Sequence, residues 1–200
     1  MRGPVAIIIL VAILFLGFVG FSGCNTYNTL VTEDERVEQS WADVQTQYQR
    51  RADLVPNLVA TVRGAADFER ETLESVTEAR ARATAINLSV DDLSDPAAVQ
   101  RFQEAQGQLG SALGRLLAIS ENYPQLRATE SFRDLQAQLE GTENRIAVAR
   151  RDYNAAVQRY NTTVRRFPNS MYAGLFGFER RIQFEADPGA ERAPTVDFGS

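Results

Sequence analysis

The 200-residue chain contains no histidine and no lysine, and it has a single cysteine. Without histidine there is no imidazole general base, no Ser-His-Asp or Cys-His nucleophile, and no ordinary zinc or haem site. Without lysine there is no Schiff-base chemistry and no Walker-type phosphate lysine. One cysteine excludes an internal disulfide and a CxxC motif. We therefore expect no cofactor, no metal and no enzymatic activity, with catalysis by carboxylates alone as the single enzymatic alternative.

The chain has fewer basic residues than acidic ones, 21 against 26, and its formal net charge is −5. All 21 basic residues are arginine. The sequence pI of about 4.9 argues against a general affinity for nucleic acid. We therefore expect no nucleic-acid partner.

One long uncharged run stands at the N-terminus, from Pro4 to Gly23. Twenty helical residues span about 30 Å, the hydrocarbon thickness of a bilayer. Residues 1–23 are therefore predicted to be a signal peptide or a transmembrane anchor. Arg2 precedes the run and acidic residues 33–35 follow it, so the positive-inside tendency places the rest of the chain outside the cytoplasm.

The cysteine lies at the end of this run, in Phe21-Ser22-Gly23-Cys24. This segment resembles the bacterial lipoprotein box, although Phe21 stands where leucine is usual. The resemblance implies a diacylglycerol on the sulfur of Cys24 and cleavage after Gly23. The alternative is a retained transmembrane helix, in which Cys24 is only a small apolar residue. Either outcome tethers the chain to a membrane.

The rest of the chain has helical periodicity. After a tether at residues 24–31, Thr32-Glu-Asp-Glu35 predicts a capping box that begins the first helix. Pro56 either starts a second helix or kinks a continuous one. Asp95-Pro96 predicts a further helix start. Apolar residues then recur three, four or seven positions apart in each helix, on the stripes Val37, Trp41, Val44 and Tyr48; Val99, Phe102, Leu109 and Leu113; and Phe132, Leu139, Ile146 and Tyr153.

These stripes predict an all-α fold. Residues 32–167 form an antiparallel three- or four-helix bundle of long helices in this interpretation. Residues 168–200 are predicted to be an irregular aromatic C-terminal extension that packs on the bundle or on a partner.

Several blocks of the sequence resemble the LemA family of bacterial membrane-associated proteins. They are QYQRRADLVPNLVATVRG (47–64), ALGRLLAISENYPQLRA (112–128), QLEGTENRIAVARRDYNAAV (138–157) and the closing pattern of residues 167–198. The resemblance implies a membrane segment or lipid anchor carrying a helical bundle, in the cell membrane or outer membrane, without established enzymatic activity. Members with a transmembrane anchor have been predicted with the short N-terminus outside, opposite to the orientation that the flanking charges favour. Genes of the family often lie near those of membrane proteases or TPM-domain proteins, which implies an envelope partner.

Polar residues beside the apolar stripes are the candidate functional site. Two arginine pairs fall in the family blocks QRRADL and ARRDYN, close to acidic and amide side chains. The candidates are Arg50, Arg51, Asp53, Glu140, Glu143, Arg150 and Asn154. They form either a polar layer that fixes helix register or a groove for a partner, and we favour the layer.

We therefore expect a membrane-tethered interaction or scaffold module of the bacterial envelope that is not an enzyme. The first alternative is a sensor that binds a small ligand or a peptide, which needs an apolar cavity between helices. The second is a carboxylate-only hydrolase, which needs acidic groups gathered in a cleft.

Overall fold

The structure is a computed structural model that describes residues 3–64 and 69–185, although most side chains before Ser22 lie outside the description. It contains six α-helices and one short 3-10 helix, Asp91–Ser94, in its described part. The α-helices are α1 (Gly3–Arg63), α2 (Arg70–Ala85), α3 (Pro96–Ser120), α4 (Pro124–Arg127), α5 (Glu130–Arg165) and α6 (Asn169–Phe176). The described residues include no β-strand, and the all-α class is confirmed.

Helix α1 is continuous through both positions at which the sequence predicts a boundary. The capping-box prediction at Thr32 is wrong, because the Thr32 hydroxyl donates to the backbone oxygen of Asn28 at 2.8 Å within an unbroken helix. Residues 24–31, predicted as a tether, belong to α1, and Leu30 is fully buried. Pro56 also lies inside α1.

Pro56 accounts for one contact between α1 and α2. Proline has no backbone N–H, so the carbonyl of Ala52, four residues earlier, has no intrahelical donor. The Nε of Arg80 on α2 donates to this oxygen at 2.7 Å. The break in the hydrogen-bond ladder of α1 is therefore a docking point for the neighbouring helix.

The long helices pack as a helical bundle. Helix α1 contacts α5 and α2, and α2 contacts α3. Helices α1 and α5 run antiparallel, since Trp41 meets Tyr153 with ring centroids 5.6 Å apart and Arg51 meets Glu143 further along. The apolar stripes of α1 and α5 therefore lie where these two helices pack against each other.

The buried side chains separate into two clusters. One, the aromatic cluster, contains ring residues from α1, α3, α5 and the chain after α6: Trp41, Tyr48, Phe102, Tyr153, Tyr160 and Phe184. The other, the aliphatic cluster, is built on Leu58, Val62, Val76, Leu109, Leu113 and Leu116.

The region after Pro168 differs from the irregular extension that the sequence predicts. Residues 169–176 form α6, which Gly177 ends in the left-handed conformation, with φ of 77°. The N–H of Phe178 then donates to the backbone oxygen of Ala173 at 3.0 Å, and the chain turns back along α5. A short apolar helix bounded by proline and glycine has too few residues to show a period in the sequence. The end of the family's closing pattern, residues 186–198, lies outside the described residues.

In the part of the chain that the structure describes, no helix has a stretch long and apolar enough to cross a membrane. Most side chains of the predicted membrane segment, residues 1–23, lie outside the part of the chain that the structure describes.

Candidate functional site

A buried arginine joins three helices at the centre of the bundle. Arg51 on α1 is 3% exposed. Its Nη1 donates to Glu143 Oε1 on α5 at 2.9 Å, and its Nη2 donates to Oε1 and to the backbone oxygen of Gln106 on α3, at 2.7 and 2.9 Å. Its guanidinium also lies 5.1 Å from the ring centre of Tyr48. We call Arg51, Gln106 and Glu143 the polar layer.

The polar layer lies between the two apolar clusters. On each of its three helices the layer residue is flanked by an aromatic-cluster residue on one side and an aliphatic-cluster residue on the other. These pairs are Tyr48 and Leu54, Phe102 and Leu109, and Ile146 and Leu139. A buried charge needs partners for its donors, and an axial shift of α3 or α5 against α1 would break the bonds of Nη1 and Nη2. The buried Nε of Arg51 has no hydrogen-bond partner among the described residues. This geometry is what a register-fixing layer requires.

Two of the seven candidate residues, Arg51 and Glu143, meet in this layer. Arg50 is exposed beside it. Asp53 accepts a hydrogen bond from Gln49 at 2.8 Å, and Glu140 accepts one from Gln136 at 3.0 Å, both within a single helix.

The sequence reasoning missed Gln106, which is 7% exposed. The available signal was its spacing, because position 106 falls on the apolar stripe of α3 between Phe102 and Leu109. A polar residue on such a stripe needs a buried partner.

The other two candidates, Arg150 and Asn154, hold the chain's own C-terminal segment, residues 178–185. The Nδ2 of Asn154 donates to the backbone oxygen of Phe184 at 3.0 Å, and its Oδ1 accepts from the backbone N–H of the same residue at 2.8 Å. Arg150 lies over the Phe184 ring, 5.1 Å from its centre, and donates to the backbone oxygen of Glu185 at 2.8 Å.

Asn161 repeats this arrangement two turns further along α5. Its Nδ2 donates to the backbone oxygen of Arg181 at 2.8 Å, and its Oδ1 accepts from the Arg181 N–H at 2.9 Å. Seven helical residues rise about 10.5 Å, and three residues of extended chain cover about 10 Å. The spacing between Asn154 and Asn161 therefore matches the spacing between Arg181 and Phe184. The sequence reasoning missed this pair, because an asparagine on a helix face is also an ordinary solvated residue.

The C-terminal segment makes further, partly buried polar contacts. Arg181 forms an ion pair with Asp34 at 3.2 Å, and Tyr153 donates to the backbone oxygen of Ile182 at 2.9 Å. Burial raises the pKa of the Tyr153 hydroxyl, which nearby Arg181 partly opposes. Burial, reinforced by the charge of Asp34, raises the pKa of Tyr160 to about 12.

An open groove of about 570 Å³ lies beside the polar layer. Its walls combine polar and apolar surface and are formed by Tyr48, Arg51, Gln103, Gln106, Gly107, Gly110, Ser111, Glu143, Ile146 and Arg150. A Cβ at Gly110 would lie 3.6 Å from Arg51 Nη1, so the close neighbour of this glycine is the guanidinium. The sensor alternative requires an apolar cavity, and apolar surface makes up part of the walls of this groove.

The carboxylates do not form an acid and base pair at this site. Glu140 and Glu143 bind different side chains, Gln136 and Arg51, and the groove beside the polar layer is lined by Glu143 but not by Glu140. Among the described residues, no three acidic or cysteine side chains are grouped as metal ligands.

Long helices with two apolar clusters and a buried arginine layer define a helical-bundle protein whose polar groups bind one another. The sequence model of the LemA family matches residues 40–198, and the chain belongs to the LemA family. Magnetosome protein MamQ 2 of Paramagnetospirillum magneticum is 27% identical over 206 residues, which cover 95% of this chain and 76% of the relative. Magnetosome protein MamQ of Magnetospirillum gryphiswaldense has the same identity and coverage. Protein LemA of Metamycoplasma hominis is 25% identical over 159 residues, 80% of this chain and 68% of that protein.

Proposed function

We propose that this protein is a membrane-tethered interaction module of the bacterial envelope that works without catalysis. The N-terminal segment holds it in the membrane with the bundle on the non-cytoplasmic side. The bundle then presents a rigid surface to an envelope protein, for which the family resemblance suggests a membrane protease or a TPM-domain protein.

The use of the polar candidate residues carries this proposal. Arg51, Glu143, Arg150 and Asn154 bind other parts of the same chain, and Arg51 is buried among them. A catalytic or ligand-binding group must instead be available to a substrate. The contacts of the polar layer therefore support a structural role for these residues. The interacting surfaces are then the outer faces of the bundle and the anchor.

The anchor has two forms, a retained helix or a lipid on Cys24. Cys24 is exposed on α1, as a modified residue must be. Helix α1 continues through it, and Gly23 packs against Tyr172 of α6, where a Cβ would lie 3.0 Å from Cε1 of the ring. This contact favours the retained helix, because cleavage after Gly23 would remove it.

Tethering is tested by carbonate extraction of membranes from cells that make the full chain or residues 24–200. We expect the full chain to stay in the pellet and the shortened chain to be released. Release of both would contradict the proposal. Incorporation of labelled palmitate in the wild type, absent in Cys24→Ala, would identify the lipid form, and equal absence would leave the retained helix.

The interaction role is tested by placing a photoreactive amino acid at exposed positions in the membrane-bound full chain. Truncation after Phe167 is unsuitable, because it removes Phe184 from the aromatic cluster. Val148 on α5 and Arg50 on α1 are exposed and suit the probe. We expect a discrete adduct with one membrane protein from at least one face, identified by mass spectrometry. No adduct at either position, in a variant that keeps its thermal stability, would count against the interaction role.

The groove beside the polar layer keeps the ligand-sensor function as a second candidate. Arg51 and Glu143 are both at its wall, so a small polar ligand would bind next to the layer. A panel of short peptides and carboxylic acids that leaves the thermal midpoint unchanged would remove this candidate. The carboxylate-only hydrolase gains no comparable support, because Glu140 and Glu143 each accept a hydrogen bond from a different side chain, Gln136 and Arg51.

A further inference from the structure

Large apolar side chains are exposed mainly at one end of the described molecule. Eight such side chains are described as exposed, and seven of them lie in the N-terminal part of α1 or in residues 167–176: Leu10, Ile13, Tyr27, Phe167, Met171, Leu175 and Phe176. The eighth, Val148, lies on α5. Exposed apolar patches of this kind mark surfaces that bind a membrane or another protein.

Phe167 and helix α6 together present four of these seven side chains. Phe167, Met171 and Leu175 are 79%, 66% and 76% exposed, and they follow one another at intervals of four residues. The opposite side of α6 packs inward through Ala173, which is 2% exposed. Helix α6 itself contains no charged residue.

Contacts with α1 fix where this surface lies. Tyr172 packs on Gly23, and the hydroxyl of Thr26 is 3.3 Å from Oδ1 of Asn169. The ring centres of Tyr27 and Phe176 are 5.1 Å apart. Helix α6 is therefore attached to α1 directly after the uncharged run that ends at Gly23.

The length of the uncharged run indicates how deep α6 lies relative to the bilayer. The run from Pro4 to Gly23 spans about 30 Å as a helix, the thickness of the bilayer hydrocarbon. A helix docked at residues 23–27 then lies at the boundary between acyl chains and headgroups. Arg165 and Arg166, both exposed at the end of α5 beside Phe167, are placed to meet lipid phosphates there.

We propose that Phe167 and α6 form a membrane-contacting element that buries Met171 and Leu175 in the bilayer surface beside the anchor. This inference rests on the proposed tethering. A single helix is free to tilt and rotate in a membrane, whereas a second contact beside it orients the bundle on the membrane. The element gives the bundle that second contact.

The test uses the full chain with Cys24→Ser, which removes the single thiol, in vesicles of phosphatidylethanolamine and phosphatidylglycerol. Single cysteines are introduced at Met171, Leu175 and, as a matched exposed apolar control, Val148. Each carries an environment-sensitive fluorophore, and the vesicles contain doxyl-labelled lipid as quencher. We expect quenching at positions 171 and 175 to be at least about threefold stronger than at 148, because an interfacial helix buries its apolar face to a depth of several ångströms.

A fluorophore at Ile13→Cys reports the anchor in the same vesicles. Quenching at 13 together with water-like signals at 171 and 175 would overturn the α6 proposal and leave the tether standing. Absence of quenching at 13 as well would overturn both. Thiol crosslinks between two copies through Met171→Cys, without lipid quenching, would assign this face to a second copy and would also overturn the proposal.

Discussion

The aromatic and aliphatic clusters are built in different ways. The aromatic cluster is bordered by directional contacts, in which Asn154, Asn161 and Tyr153 hold the C-terminal segment at defined atoms. The aliphatic cluster packs through side chains without polar atoms, and Arg80 on Ala52 is a polar link at its border. Apolar packing is non-directional, whereas hydrogen bonds select one alignment. The comparison supports our proposal that a few polar contacts specify position along the bundle, with Arg51 at the boundary between the clusters.

Removal of Arg51 should have the largest effect, because this residue is buried and joins α1 to α3 and α5. We expect Arg51→Ala to lower the free energy of unfolding by about 3 kcal/mol, since it leaves the buried Oε1 of Gln106 without its Arg51 donor and opens space beside Tyr48. Chemical denaturation measures this. The matched control is Arg50→Ala, an exposed neighbour, which should change stability by no more than about 0.5 kcal/mol.

The same variant separates the two interpretations of the polar layer. A folded Arg51→Ala protein with unchanged stability and lost photocrosslinking to its partner would contradict the register role and support a groove. Glu143→Gln should be much milder than Arg51→Ala, because the Glu143 side chain is 47% exposed and can turn to water.

A substitution of Asn154 tests whether hydrogen bonds to the C-terminal segment stabilise the aromatic cluster. We expect Asn154→Ala to cost about 2 kcal/mol, because it removes two hydrogen bonds to Phe184. Trp41 is the single tryptophan, and its ring centre is 6.0 Å from that of Phe184, so its fluorescence should change as well. The control is Asn57→Ala, at an exposed position beside the aliphatic cluster, which should leave both signals unchanged. Equal effects of the two substitutions would show that the clusters do not differ in this respect.

Much of the fold follows from the sequence. The stripe of α5 and the N-cap at Asp95 are local patterns, and the structure has both, with Asp95 accepting from the N–H of Ala97 at 2.9 Å. The boundary at Thr32 was wrong because a Thr-x-x-Glu pattern also occurs inside a helix, where the hydroxyl donates to the preceding turn. Pro56 left two options because its missing N–H is tolerated only if another group satisfies Ala52, and that group, Arg80, is 28 residues away.

Arg80 and Pro56 offer a test of that long-range compensation. We expect Arg80→Met to cost about 1 to 2 kcal/mol, because it leaves the oxygen of Ala52 without a donor while keeping an apolar stem. In a Pro56→Ala background, residue 56 supplies the missing N–H, so Arg80→Met should cost less than half as much. A double-mutant cycle measured by urea denaturation gives the coupling. Additive effects would show that Arg80 does not compensate for the proline.

The polar site was less predictable than the helices. Arg51 and Glu143 stood out because charged residues beside an apolar seam need partners. The pairing of Asn161 with Arg181 depends on how the chain turns after α6, and that turn is set by the left-handed Gly177. Such contacts combine a helix face with a distant extended segment, and periodicity along one helix carries no information about the second partner.

The smallest effect is expected at the two buried tyrosines of the aromatic cluster. Tyr153→Phe should cost about 1 kcal/mol because it removes the bond to Ile182. Tyr160→Phe should stay within about 0.5 kcal/mol, since the described residues offer its buried hydroxyl no hydrogen-bond partner.

At alkaline pH the stability of the Tyr160→Phe variant should differ from that of the wild type. The pKa of Tyr160 is raised to about 12 in the folded chain, above its ordinary value of 10.0, so the unfolded chain loses the proton first. Stability is therefore complete below pH 10 and falls as the pH rises towards 12, and Tyr160→Phe should flatten that fall in a pH series of thermal midpoints. If the thermal midpoint of Tyr160→Phe falls with pH as steeply as that of the wild type, Tyr160 does not cause the alkaline sensitivity of the aromatic cluster.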